Sequence, residues 1–289
     1  VLQILTSRGA LQSVPMTPDA EGGRTTTPEK FDGRVALVTG ASSGIGRATA
    51  RALAAGGAQV IVADVDLDAG EDTARAIRAE GGTAHFIACD VADPEQVRAL
   101  LERTVATCGH LDILINNAGI SGGAQRLHEL EVDDWDRVMA VNLRGPFLCA
   151  KYALPHLMDR RGTIVNVAST YGLIGAPQAP AYCASKGGVI NLTRQLAVDY
   201  GPSGVRVNAV CPGYVDTDMG GQRGRLPPQQ AAAALERRES NAARQPLGRQ
   251  AHVDEVARVV VFLASGASSF MTGSIVTVDG GCTSTFNYN

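Results

Sequence analysis

The chain has 289 residues, 45% of them hydrophobic and 19% charged, with a formal net charge of −3. That length suits one large domain or two smaller ones, with enough apolar residues for a buried core. The balanced charge and the lack of any Lys/Arg block leave no footprint for nucleic acid, and no apolar run approaches membrane-spanning length, so neither partner is expected. Residues 1–30 are rich in Thr, Pro, Gly and Ser without sustained periodicity and are expected to form a flexible tail. The apolar start Val1 to Leu5 is too short for a signal peptide. Deleting residues 1–28 is expected to leave activity and stability intact.

Val35-Ala36-Leu37-Val38-Thr39 is apolar and β-branched, the pattern of a buried strand. It runs straight into Gly40-Ala41-Ser42-Ser43-Gly44-Ile45-Gly46 and then a helical stretch from Arg47 to Ala55. Strand, glycine turn and helix start together aim backbone N–H groups at a phosphate. Gly40 permits the tight turn, Gly44 lets a ligand approach, and Gly46 lets helix and strand pack; Ser42, Ser43 and Ile45 complete the cradle. The spacing is G-x-x-x-G-x-G rather than the general G-x-G-x-x-G. A second strand, Gln59 to Ala63, ends at Asp64, whose carboxylate suits two ribose hydroxyls and repels a 2′-phosphate. No Lys or Arg stands at Ser42, Ser43 or Val65, and Arg47 is expected to point to solvent. NAD is therefore expected over NADP.

Helical and strand patterns then alternate. Leu67 to Glu80 is helical and stops at Gly81-Gly82, Thr83 to Ala88 is a strand, and Asp93-Pro94 starts a helix reaching Cys108. Leu111 to Asn116 is a strand, and Asp133 opens a long helix through Trp135 and Phe147, with Pro155 near its end or at a kink. Thr163 to Ala168 is a strand, Tyr182 to Tyr200 a helix, Val205 to Cys211 a strand, Val253 to Ala264 a helix and Ser274 to Val278 a strand. Strands separated by helices imply right-handed crossovers. The expected fold is an α/β, Rossmann-like doubly wound parallel sheet of about seven strands with helices on both faces. Ligands bind such sheets beyond the carboxyl ends of the strands.

Tyr182 and Lys186 lie one helical turn apart on one face. A cation about 4 Å from a phenol, at an effective dielectric near ~20, contributes roughly 4 kcal/mol, or about three pKa units. Burial takes part of that back, yet a tyrosine of ordinary pKa near ~10 is drawn toward the range of general acid/base catalysis.

Thr39-Gly40-x-x-x-Gly44-Ile45-Gly46, Asn116-Asn117-Ala118-Gly119, Asn142, Ser169, Tyr182-x-x-x-Lys186 and Pro212-Gly213 occur together and in order. From about Phe31 to Gly281 the chain resembles the short-chain dehydrogenase/reductase family in its compact one-domain form. The resemblance implies a single catalytic domain over residues 31–289, with a substrate lid at about 214–248. It implies Tyr182 as the group passing a proton to or from the substrate oxygen, and Lys186 lowering its pKa while holding the nicotinamide ribose. Ser169 would bond the reacting oxygen, and Asn142 would hold a water linking Lys186 to solvent. Asp90 and Val91 would lie beside the adenine, with Asn116, Ala118 and Gly119 along the adenosine. Pro212, Gly213 and Val215 would edge the nicotinamide, and Thr217 would reach its amide or the pyrophosphate. Relatives are usually homotetramers joined through two long helices and the last strand.

Tyr171, Ile174, Gln178, Tyr214 and Met219 are substrate-pocket candidates by nearness in the chain to Ser169, Tyr182 or Pro212. They lean apolar, which favours a cyclic or hydrophobic secondary alcohol. The lid carries Arg223, Arg225, Arg237, Arg238, Arg244 and Arg249, read as a solvated face rather than an anion site. Six cysteines without a C-x-x-C pair suit buried free thiols in a reducing cytoplasm. Five scattered histidines lack ligand spacing, so no metal is expected. The leading reading is an NAD-dependent oxidoreductase acting on a secondary alcohol, possibly a cyclic one or a diol. Alternatives are a reductase of 3-oxoacyl thioesters and a non-catalytic nucleotide-binding regulatory protein.

Overall fold

The computed structural model describes residues 3–5, 11–13, 30–217, 219, 227–243 and 245–284. Seven strands form one parallel sheet: β3 (Val35–Thr39), β4 (Gln59–Asp64), β5 (Thr83–Ala88), β6 (Ile113–Asn116), β7 (Thr163–Val167), β8 (Arg206–Pro212) and β9 (Ile275–Val278). They lie in the order β5-β4-β3-β6-β7-β8-β9. The chain winds outward one way from β3 and then the other way from β6. The switch point therefore falls between the carboxyl ends of β3 and β6, where this architecture opens its binding crevice.

The five inner strands bury both faces, so apolar residues run on there with few polar alternates, whereas the edge strand β5 alternates buried and exposed residues. In β3, Ala36 and Val38 join one core layer while Val35 and Leu37 join the other. The first layer packs beneath α1 (Gly44–Ala55), α2 (Leu67–Ala79) and α8 (Val253–Ala264), through Leu53, Ile77, Val256, Val260 and Leu263. The second packs beneath α3 (Pro94–Cys108), α5 (Gly145–Arg160) and α6 (Pro180–Tyr200), through Leu100, Leu101, Leu154, Leu157 and Leu196. Among the described residues no helix is long and apolar enough to cross a membrane.

The structure departs from the sequence reading in three places. The long helix expected from Asp133 is α4 (Val132–Met139), a π turn over Ala140–Arg144 and then α5. Pro146 supplies the reason: it has no N–H to give the Asn142 carbonyl in the α register, and Gly145 N–H reaches back to the Ala140 carbonyl instead. Within the expected tail, β1 (Gln3–Leu5) and β2 (Leu11–Ser13) pair antiparallel. Arg47 does not simply point to solvent: its guanidinium donates to the Ser42 carbonyl and, at 3.0 Å, to Thr73 Oγ1. Of residues 214–248, expected to form a lid, the structure describes 214–217, 219, 227–243 and 245–248, including the helix α7 (Pro228–Ala243). Arg223 and Arg225, Arg244, and the side chains of Arg237 and Arg238 lie outside the described residues. Arg249 is bound to Glu255 at 2.7 and 2.8 Å, serving the start of α8 rather than a ligand.

Candidate active site

The glycine turn between β3 and α1 is tight because three positions have no room for a side chain. Gly40 sits at φ +63, where a Cβ would stand 2.7 Å from Ala118 Cα. At Gly46 a Cβ would collide with the Gly40 carbonyl oxygen. Gly44, at φ +53, faces Thr217, whose Cγ2 would lie 3.3 Å from an added Cβ. The loop is therefore a backbone cradle with Thr217 across its mouth, and the bare backbone is what a pyrophosphate requires.

Side chains at the carboxyl ends of β3, β4 and β6 lock that cradle in place. Thr39 Oγ1 accepts from Asn117 N at 3.0 Å and Ala118 N at 3.2 Å. Asn117 Nδ2 donates to the Thr39 and Gly40 carbonyls, each at 2.9 Å. Asp64, at the end of β4, accepts from Ser42 N at 2.9 Å and from Asp66 N at 3.1 Å. One carboxylate thus shapes the cradle and closes one side of it. Ser42 is buried, Ser43 exposed and Ile45 half-buried. Asp90 Oδ1 accepts from Ala92 N at 2.9 Å, and buried Val91 packs on Gly145.

Asn116 behaves differently from its neighbours. It is buried, its Nδ2 donates to Asn166 Oδ1 at 2.9 Å, and its Oδ1 has no partner among the described residues. Its side chain bridges β6 and β7 instead of facing the crevice. Asn117, beside it, is the residue that grips the glycine turn.

On the other side of the crevice the catalytic candidates converge. Ser169 follows β7 and is 8% exposed; its Oγ accepts from Tyr171 N at 3.2 Å. Pro180 begins α6, which carries Tyr182 and Lys186 on one face. Lys186 is 4% exposed, with Nζ donating to the Val167 carbonyl at 2.9 Å and standing 5.7 Å from the Tyr182 ring centroid. Burial pulls the Lys186 pKa down from 10.5 to about 8, against a smaller upward pull from Cys211. The Tyr171 ring meets the Tyr182 ring edge-on, with centroids 6.1 Å apart. Tyr171 therefore touches both Ser169 and Tyr182 and fixes them in one pocket.

Asn142, on the π turn, is fully buried. Its Oδ1 accepts from Ile120 N and its Nδ2 donates to the Ile120 carbonyl, both at 2.8 Å; Nδ2 also reaches Ser185 Oγ at 3.2 Å. The side chain is thus spent on the loop after β6, and only its backbone carbonyl is left for a water. Ser185 Oγ in turn donates to the Tyr182 carbonyl at 2.8 Å. Gly119 lies in the same knot: a Cβ there would come within 3.4 Å of Asn142 Oδ1 and 3.5 Å of Lys186 Nζ.

The remaining candidates divide. Gly213 packs against Asp279 and Gln245, Pro212 ends β8 in register with Val278, and Val215 is buried in a bridge to Ala251. Of the pocket candidates, Tyr171 and Tyr214 are brought together, their hydroxyls 3.0 Å apart. Ile174 and Met219 are 41% and 37% exposed, and Gln178 holds a left-handed backbone at φ +56 on the surface. Sequence reasoning passed over Asn117, Ser185 and Thr39 as site residues. The first and last stood inside quoted motifs, but only their bonds to the glycine turn reveal their purpose.

Comparison with known proteins agrees with this geometry. A family model described as enoyl-(acyl carrier protein) reductase matches residues 40–283. The chain is 48% identical to cis-4-hydroxycyclohexanecarboxylate dehydrogenase of Sinomonas cyclohexanicum, over 88% of this chain and 98% of that protein. It is 41% identical to cyclohexanol dehydrogenase of Acinetobacter sp. (strain SE19), over 88% of this chain and 97% of that one. Among solved structures, levodione reductase superposes with a TM-score of 0.83 at 35% identity, covering 89% of this chain and 100% of its own. A short-chain type dehydrogenase/reductase from Mycobacterium marinum gives 0.79 at 38% identity, covering 88% and 97%. Parallel sheet, glycine cradle, Ser169, Tyr182 and Lys186 and these relatives agree: the chain belongs to the short-chain dehydrogenase/reductase family, oxidoreductases that use a nicotinamide cofactor.

Proposed function

We propose that the chain is an NAD-dependent oxidoreductase interconverting a secondary alcohol, cyclic in its preferred form, with the corresponding ketone. The observation that carries this reading is the buried Lys186 ammonium beside the Tyr182 ring, in a pocket shared with Ser169. The cradle of Gly40, Gly44 and Gly46, with Thr217 opposite, would hold the pyrophosphate of NAD, and Asp64 the adenosine ribose. Bound NAD would supply the acceptor for the hydride lost from the alcohol carbon.

The protein's own part is to move one proton and stabilise one oxygen. Tyr182 as phenolate takes the hydroxyl proton while the carbon–hydrogen bond opens, and in reverse returns it to the forming alkoxide. Lys186 lowers the cost of the phenolate. Ser169 Oγ, which accepts from Tyr171 N, keeps its own proton to donate to the substrate oxygen where charge develops. The Asn142 carbonyl, which Pro146 cannot satisfy in the α register, would hold the water that relays the proton from Lys186.

The preference for NAD rests on Asp64. Arg47 occupies the same corner but is committed to Ser42 and Thr73. The cyclic preference rests on the similarity to dehydrogenases named for cyclohexane alcohols. The matching family model is described by an acyl-carrier substrate, the substrate class of a second reading, a reductase of 3-oxoacyl thioesters, although the enoyl reduction it names is a different reaction. NADH formation followed on cyclohexanol, 2,3-butanediol and, in reverse, a 3-oxoacyl thioester, with NAD and NADP, separates the two. Oxidation of the alcohols with NAD supports the first reading; turnover confined to the thioester and NADPH defeats it.

A cytoplasmic homotetramer completes the proposal. Exposed Phe147 on α5 and the fully exposed Phe270 before the edge strand β9 mark the two faces that copies would cover. Light scattering that gives a monomer would rule this assembly out.

A further inference from the structure

Resting on the secondary-alcohol reading above, we propose that Tyr171 and Tyr214 form a paired-hydroxyl subsite that recognises a second oxygen on the substrate, across the ring from the reacting carbon. Tyr171 stands in the 3-10 turn after β7, and Tyr214 at the root of the lid after β8. These strands are neighbours, with Val167 beside Val210 in register, so both loops leave the same end of the sheet. The Tyr171 ring makes edge-on contacts on both sides, 6.1 Å to Tyr182 and 6.5 Å to Tyr214. The three rings form a continuous row, with Tyr182 at one end, Tyr171 in the middle and Tyr214 at the other end.

Two phenols 3.0 Å apart share one proton in their mutual bond. The second proton is left over, and neither hydroxyl has another partner among the described residues. Half-buried phenols of this kind ordinarily find a partner. Burial, together with the bond to Tyr214 and the nearby thiols of Cys282 and Cys183, pushes the Tyr171 pKa up, so its hydroxyl stays protonated across the physiological range. The Tyr171 hydroxyl therefore keeps its proton in the pair. The matching chemistry is an oxygen acceptor: a hydroxyl, carbonyl or carboxylate carried by the substrate at a distance from its reacting carbon. A wholly apolar substrate would leave that proton unsatisfied, and a site built to bond an oxygen discriminates against a ligand lacking it.

The test measures kcat and KM for cyclohexanol and for cis-4-hydroxycyclohexanecarboxylate in the full chain and in Tyr171→Phe and Tyr214→Phe. Each variant keeps its ring and loses only the hydroxyl, and a thermal melt checks that the fold survives. The expected result is a loss of about ten- to a hundredfold in kcat/KM for the carboxylate substrate, carried mainly by KM. The ratio of kcat/KM for the carboxylate to that for cyclohexanol should fall by about tenfold or more, since cyclohexanol makes no bond there. Equal losses on the two substrates, or no loss on the carboxylate, overturn the subsite while leaving the alcohol-oxidation reading intact. If the unmutated chain oxidises neither alcohol, that underlying reading fails, and the subsite with it.

Discussion

Replacing Lys186 with methionine isolates the electrostatic half of the proposed chemistry. The ammonium stands 5.7 Å from the Tyr182 ring centroid in a site that is 4% exposed. At an effective dielectric near ~20, a charge about 6 Å from a phenolate oxygen stabilises it by about 3 kcal/mol, or about two pKa units. The ammonium thus favours the phenolate form of Tyr182, while burial has lowered the Lys186 pKa itself to about 8. The two groups titrate as a coupled pair, so the wild-type profile reports the pair rather than either residue. The assay is kcat/KM for alcohol oxidation between pH 6 and 11. In Lys186→Met the inflection should move up by about two units, costing about a hundredfold at neutral pH, with most of the loss recovered at high pH. A variant that loses activity by the same factor at every pH would refute this reasoning, because it would mean that Lys186 acts through ligand positioning alone.

The same substitution has an opposite effect on stability. Folding lowers the Lys186 pKa from 10.5 to about 8, so between those values the unfolded chain holds a proton that the folded chain has released. Stability owed to this group therefore rises with pH across that window, and below it the buried ammonium exerts its full penalty. Lys186→Met should be more stable than wild type at neutral pH by up to about 3 kcal/mol, with the advantage fading as pH passes from 8 to 10.5. Denaturant melts at several pH values check this, and a pH-independent difference counts against it. Asp64→Asn should raise the kcat/KM ratio of NADP to NAD by about tenfold or more, because a full negative charge no longer opposes the 2′-phosphate. An unchanged ratio would move the cofactor choice elsewhere. Asn142→Ala strips two bonds from the Ile120 backbone and one from Ser185. It should cost about 2–4 kcal/mol in stability and also slow turnover; a melt unchanged from wild type would contradict that.

Much of this could be read from residue types and spacing. β3 and β4 and the glycine turn declared themselves because a doubly buried strand is a continuous apolar run and because glycine is the residue that a positive φ and a close backbone approach demand. Tyr182 and Lys186 were readable as a pair because helical spacing alone puts them on one face. The interruption between α4 and α5 was harder to foresee, since a proline near a helix start and a proline inside a helix look alike without the residue it fails to bond. Asn116 and Asn117 show a similar limit. Adjacent residues on a strand point to opposite sides, and only the register with β7 decides which one grips the turn. The Tyr171–Tyr214 pair depends on two loops far apart in sequence meeting at neighbouring strand ends, a long-range fact that no local pattern carries.

The most direct measurement follows the hydrogen itself. Cyclohexanol deuterated at its carbinol carbon is incubated with NAD and the purified chain, and the nicotinamide product is weighed by mass spectrometry. Hydride transfer assisted by Tyr182 predicts one deuterium in each reduced nicotinamide, equimolar cyclohexanone, and neither product from Tyr182→Phe. Cyclohexanone formed without deuterium in the nicotinamide, or undiminished transfer by the phenylalanine variant, would contradict it.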